Sequence, residues 1–351
     1  MTALPPQAPS QAGRSRGPGR GGAIAPFLYG VPRVSLPIAS PAYEPHGTGA
    51  QSQIFRQAGA GRTPTIVIAG FLPDATESIE YQRDLVARYG DIYYVNYPRD
   101  RFCTQALFAQ VCGLIRHLNA RGEQPVLFSI CFGSGLVAKL LQERVAPSAR
   151  GAPGLGIAGV VMVSPVLCAA DMVRLNDDGA GPVPMRERAA RMFFLSDHHG
   201  SIEREVARAR RAFGSLFRRE RATRLLNHRN AMIIGKVLAA VHEITVTGYY
   251  ERALALKALT WPPAHGPIFS GPALVLFAED EDGVFVPTSP TLAALRTPSV
   301  AAQFFPRAAI HEVASADADD PVVHGSIVVH HRYFNPFITA WYERLSGTAI
   351  V

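Results

Sequence analysis

The 351-residue chain has no apolar run of the 18 or so residues that a membrane-crossing helix needs; its longest apolar stretch, Gly156 to Ala170, is interrupted by Ser164-Pro165. It also lacks the apolar amino-terminal core of a signal peptide, so secretion is not expected. The first 43 residues contain no acidic side chain and hold Arg14, Arg16, Arg20 and Arg33 among many Pro and Gly. A disordered basic tail over 1–45 follows from that composition, with a transit or interaction segment as the other reading. Cysteine is scarce. Cys103, Cys112, Cys131 and Cys168 show neither metal-type pairing nor a disulfide framework. A reducing cytoplasm fits this usage and would keep a reactive thiol competent. His198-His199 has no carboxylate or cysteine spacing around it, so neither a metal nor a cofactor is expected.

What is present suffices for a large core. At 48% hydrophobic, the chain fits one domain carrying an insertion. Short apolar strands are expected at Thr65–Gly70, Asp91–Asn96, Val126–Ile130, Ala158–Val163, Ala273–Ala278 and Ala301–Phe305. Helices are expected at Glu77–Tyr89, Gly133–Leu141 and Arg332–Leu345. A further helix, Thr104–Arg121, sets Leu107, Val111, Leu114 and Leu118 along one face. Alternation of this kind predicts an α/β fold around a mostly parallel sheet.

The rhythm breaks between Pro165 and Pro272. Helices at Met185–Leu195, Ser201–Leu226 and Ala231–Leu259 predict a helical cap, or lid, over 166–270, inserted into a core of 46–165 and 271–351. From Arg186 to Arg229 the cap has 12 arginines against five acidic residues, a net +7 that equals the formal charge of the whole chain. A solvated helix face explains this charge. So does docking of an anionic partner such as an acyl carrier protein or a coenzyme A thioester. No aromatic interleaving accompanies the arginines, which argues against nucleic acid.

The sharpest signal is Cys131. In Ser129-Ile-Cys-Phe-Gly133 a buried strand runs directly into a helix, with one nucleophilic side chain at the junction and small residues two positions before and after it. So tight a turn strains the backbone at its centre and tolerates only small neighbours, and Gly135 suits close packing of the following helix. The amino end of a helix and a neighbouring imidazolium stabilise a thiolate, which exchanges readily with thioesters.

The elbow, the order of elements, the cap position and a late histidine resemble the α/β-hydrolase superfamily over about Pro64 to Leu345. Ser129 stands in place of the usual first glycine, and Cys131 in place of the usual serine. The cysteine elbow is similar to those of dienelactone hydrolases, polyhydroxyalkanoate synthases and some thioester-cleaving or cyclising enzymes of polyketide pathways. The resemblance implies an α/β-hydrolase fold with a Cys-His-Asp triad acting on a thioester or ester substrate, without a cofactor.

By that resemblance Cys131 is the nucleophile, and the N–H groups of Phe132 and Phe71 form the oxyanion hole. Ala69-Gly70 replaces the usual His-Gly before Phe71, and a simple strand-to-helix loop is the competing account there. Asp282 is the expected acid, with Asp280 as competitor and Glu281 also open. His324, linked by Gly325-Ser-Ile-Val to the closing helix, is the expected base, with an acidic excursion over Ala314–Asp320 before it. His311, 29 residues after Asp282, is the alternative. Hydrolysis and acyl transfer are the same chemistry with different acceptors. A cyclase or synthase, or a non-catalytic ligand-binding protein of this fold, is the alternative function.

Overall fold

Seven strands form one sheet in the order β1-β3-β2-β4-β5-β6-β7: β1 (Gln53–Gln57), β2 (Thr65–Ile68), β3 (Ile92–Asn96), β4 (Val126–Ile130), β5 (Gly159–Val163), β6 (Ala273–Ala278) and β7 (Ala308–Val313). The computed structural model describes residues 50–145, 154–174, 201–204, 206–208, 210–211, 228–263 and 266–347. The tail expected over 1–45, the helix expected over Met185–Leu195 and His198-His199 lie outside the described residues. So does most of the helix expected over Ser201–Leu226, of which 202–204, 206–208 and 210–211 are helical.

All neighbouring strands run parallel except β1, which pairs antiparallel with β3. Every residue of β2 to β6 is buried, as expected of parallel strands covered on both faces, which therefore read as continuous apolar runs. The edges differ. β7 is mostly half-buried, and β1 offers the core only Ile54 and Phe55 between polar residues. That weak pattern left β1 without a signal in the sequence.

The helices flanking the sheet are α1 (Ala75–Ser78), α2 (Arg83–Val86), α3 (Thr104–Ala120), α4 (Phe132–Leu140), α7 (Pro290–Leu295), α8 (Pro298–Phe304) and α9 (His331–Leu345). Two more, α5 (His228–Glu243) and α6 (Val246–Lys257), belong to the insertion between β5 and β6.

Three expectations are corrected here. The strand expected at Ala301–Phe305 is helix α8, opened by Pro298 after Thr297; the last strand is Ala308–Val313 instead. The helix expected over Glu77–Tyr89 is two short turns, α1 and α2. The helix expected over Ala231–Leu259 is α5 and α6, bent by 97°. The break falls at Thr245, whose Oγ1 accepts from Gly248 N at 3.1 Å and starts a new helix.

Among the described residues no single helix is long and apolar enough to cross a membrane. The sheet's parallel order places the ends of β4, β6 and β7 on one rim, and the segments that leave this rim carry the chemistry-bearing side chains.

Candidate active site

Cys131 is the single residue between β4 and α4, at φ 52° and ψ −122°. A side chain rarely tolerates a positive φ, so the surroundings must hold this conformation in place. The Cys131 N–H donates to Val163 O at 2.9 Å, and its carbonyl accepts from Ser134 N at 2.9 Å and Val166 N at 3.2 Å. Gly133 is needed two residues later because a Cβ there would lie 2.3 Å from Ala69 O and 2.6 Å from Ile68 O, inside contact distance of β2 and its exit. Ser129 is buried, with Oγ 3.1 Å from both Ser134 Oγ and Val161 O.

The Cys131 thiol is half-buried, whereas Cys112 and Cys168 are buried. Burial pushes both of those thiols up, Cys168 to about 12 with help from Asp171, which leaves them protonated and inert.

His324 follows the loop after β7, and its side chain is 7% exposed. Its Nδ1 lies 2.5 Å from Glu281 Oε2, while the other Glu281 oxygen accepts from Ala278 N at 2.8 Å. Burial by itself would lower the His324 pKa, but the Glu281 carboxylate and then Cys131 raise it to about 10, so the ring holds its second proton at neutral pH. Nε2 is buried with no hydrogen-bond partner among the described residues. Besides Glu281, the side chain whose charge acts on the ring is Cys131.

The Phe285 ring meets the imidazole edge-on at 5.3 Å between centroids. Gly325 N donates to Ser164 Oγ at 3.1 Å, tying the His324 loop to a residue at φ 45° at the end of β5.

The expected acid and the alternative base lie elsewhere. Asp282, the expected acid, is exposed, and its N–H is taken by Asp280 Oδ1 at 3.0 Å. Asp280 bridges to Val323, its N–H donating to Val322 O at 3.0 Å. Glu281 is the carboxylate that reaches the imidazole: its neighbours are held at the backbone, and it alone of this acidic run is buried. The sequence left it open but not preferred; the usable signal is side-chain length, since one extra methylene lets a glutamate reach from a position earlier in the turn. His311 lies within β7, its ring tilted against Phe337 at 4.7 Å, and burial followed by Arg344 lowers its pKa. The structure brings Cys131, His324 and Glu281 together and leaves Asp282 and His311 apart.

The loop after β2 lies beside Cys131: a Cβ on Gly70 would be 3.6 Å from Cys131 Cβ. Tyr97 Oη donates to Ala69 O at 2.9 Å, Arg252 Nη1 to Phe71 O at 2.6 Å, and Ala75 N to Asn96 Oδ1 at 2.9 Å. The Phe71 ring stands edge-on to Phe132 and to Tyr249, at 5.5 Å each. Phe132 opens α4, where a backbone N–H has no partner within the helix.

Asp171 is fully buried and missed in the sequence, and its carboxylate accepts five hydrogen bonds. They come from Leu167 N, Cys168 N, Ser289 Oγ, Thr291 N and Thr291 Oγ1, at 2.6 to 3.1 Å. It joins the exit of β5 to the segment behind the acid turn. Among the described residues no group of three or more His, Cys, Asp or Glu is placed to hold a metal ion.

No protein-family model matches the sequence, and no curated protein does. Solved structures do. An epoxide hydrolase variant from Bacillus megaterium aligns at TM-score 0.56 with 12% identity, and an esterase from Exiguobacterium antarcticum at 0.55 with 11%. A bromoperoxidase from Bacillus anthracis aligns at 0.54 with 18%. Each alignment covers 83% of this chain and 96% of the other. The chain has the α/β-hydrolase fold. Within this fold the three side chains that the structure gathers come in the chain order Cys131, Glu281, His324.

Proposed function

We propose that this protein is an acyl-transferring enzyme, a hydrolase or acyltransferase that works through an acyl-cysteine on an ester or thioester. The carrying observation is the buried His324 ring, held at Nδ1 by Glu281 and acted on by the Cys131 side chain, which sits at a positive φ at the amino end of α4. Cys131 Sγ attacks the acyl carbon as the thiolate, and the carbonyl electron pair moves onto oxygen. The Phe71 and Phe132 N–H groups face that oxyanion. Collapse expels an alcohol or thiol, which takes its proton from His324. Water or another acceptor then attacks the acyl-cysteine, His324 removes its proton, and Sγ leaves as the thiolate. Glu281 keeps the imidazole oriented throughout and balances its charge.

A carrier-bound or coenzyme A thioester is the substrate form that the basic insertion favours. Not all of its arginines are available for docking. Arg210 donates to Ile244 O and lies over Tyr249, while Arg229 pairs with Glu80 and lies over Tyr81. Arg204 and Arg211 are exposed.

Intact-mass measurement after mixing with thioesters of varied chain length tests the proposal. An adduct of the acyl mass on the wild type, absent from Cys131→Ala, is expected. Wild-type protein that binds these compounds without any adduct or turnover would reduce it to a ligand-binding protein.

A further inference from the structure

We infer that Arg252, on helix α6 of the insertion, is a positioning residue for the oxyanion loop, fixing the Phe71 backbone so that its N–H faces the carbonyl oxygen over Cys131. The inference rests on the acyl-cysteine reading and adds to it a residue far from the nucleophile in sequence.

Arg252 is 1% exposed. Nη1 donates to Phe71 O at 2.6 Å, Nη2 to Pro98 O at 3.1 Å, and the guanidinium lies 5.2 Å from the centre of the Tyr97 ring. Nε is buried with no partner among the described residues. Burial, then the Arg99 charge, lowers its pKa to about 10, which leaves the side chain charged at neutral pH.

Among the described residues no carboxylate pairs with that charge directly. Asp74, the nearest in electrostatic effect, is paired with Arg99 at 2.6 Å. A buried cation satisfied only by carbonyls and a ring is a poor way to stabilise a core, because an apolar side chain of similar volume avoids its desolvation. The carbonyls it reaches therefore matter. Tyr97 holds Ala69 O and Arg252 holds Phe71 O, so the peptide linking Gly70 to Phe71 lies between two pinned neighbours. That peptide carries the Phe71 N–H. Tyr249, one turn before Arg252 on the same helix, packs edge-on against the Phe71 ring and holds the loop from a second side.

Two reactions at Cys131 separate positioning from mere support. Alkylation by iodoacetamide needs the thiolate but develops no oxyanion; acylation by a thioester needs both. In Arg252→Met the acylation rate constant should fall about 10²-fold, the usual loss for one oxyanion donor, while the alkylation rate is unchanged. The loss should appear in kcat rather than KM. Arg252→Lys, which can reach one carbonyl but not fork to two, should recover part of it, and it carries the comparison if the Met variant fails to fold. Unchanged acylation in the variants overturns the inference. So does an equal fall in acylation and alkylation, since Arg252 would then support only the fold. Wild-type protein that alkylates at Cys131 but takes no acyl group overturns the acyl-cysteine reading, and this inference with it.

Discussion

The His324 ring binds its proton more tightly in the folded protein than in the unfolded chain, where its pKa is about 6.5. Because the folded value is raised, to about 10, the associated stability is fully present below pH 6.5 and is lost as pH climbs through 10. Denaturant titrations across this window should show wild-type stability falling as pH rises. In Glu281→Gln the fall should be shallower, because the carboxylate that raises the pKa is gone. A wild type and variant with equal slopes would place the raised pKa elsewhere.

Activity discriminates between neighbouring residues at the same scale. Cys131→Ala should lose at least about 10⁴-fold in turnover, and Glu281→Gln about 10³ to 10⁴-fold. Asp282→Asn and His311→Ala should stay near wild type, and a dead Asp282→Asn with an active Glu281→Gln would reverse the assignment of the acid. Cys131 was legible because its signal is local: a buried strand, a small-residue turn and a helix adjoin in sequence. Glu281 was not, because Glu279, Asp280, Glu281 and Asp282 look alike in sequence, and only the packed sheet decides which turns inward.

Elements were legible where they are long or wholly buried. The expected strand at Val126–Ile130 and the strand at Ala273–Ala278 match β4 and β6 residue for residue. Ala301–Phe305 failed because a short apolar run is shared by strands and buried helices. Pro298 at the first helical position was the signal that separates the two. The insertion was misjudged at Thr245, a capping residue inside what reads as one long periodic segment. Asp171 shows how elements are fastened together: it serves donors from the β5 exit and from the start of α7 at once. Asp171→Ala would strand three buried N–H groups and should cost about 3–5 kcal/mol in denaturant unfolding, far more than a surface substitution. Asp171→Asn should also destabilise, since one acceptor becomes a donor facing donors.

For the molecule as a whole, charge is the property to test. If the insertion steers an anionic carrier, activity on a carrier-bound or coenzyme A thioester should fall with added salt, because screening acts beyond a Debye length of about 8 Å at physiological ionic strength. Activity on a small neutral thioester should barely respond. Neutralising Arg204 and Arg211 together should reproduce the salt effect at low ionic strength; Arg210 is left intact because it donates to Ile244 O and lies over Tyr249 of α6. Equal salt responses for both substrates would return these arginines to a solvated role.

The order of the three groups along the chain also bears on biosynthesis. Cys131 emerges from the ribosome roughly 150 residues before Glu281, and the whole insertion comes between them. At 5–20 residues per second that interval is about 8–30 s, during which Glu281, β7 and the His324 segment are still to be made. On the acyl-cysteine reading, a nascent chain stalled before residue 273 lacks Glu281 and His324, and assisted acylation begins only when the last two strands dock. Ribosome-bound intermediates of increasing length should stay unlabelled by an acyl-thioester until the His324 segment has cleared the exit tunnel.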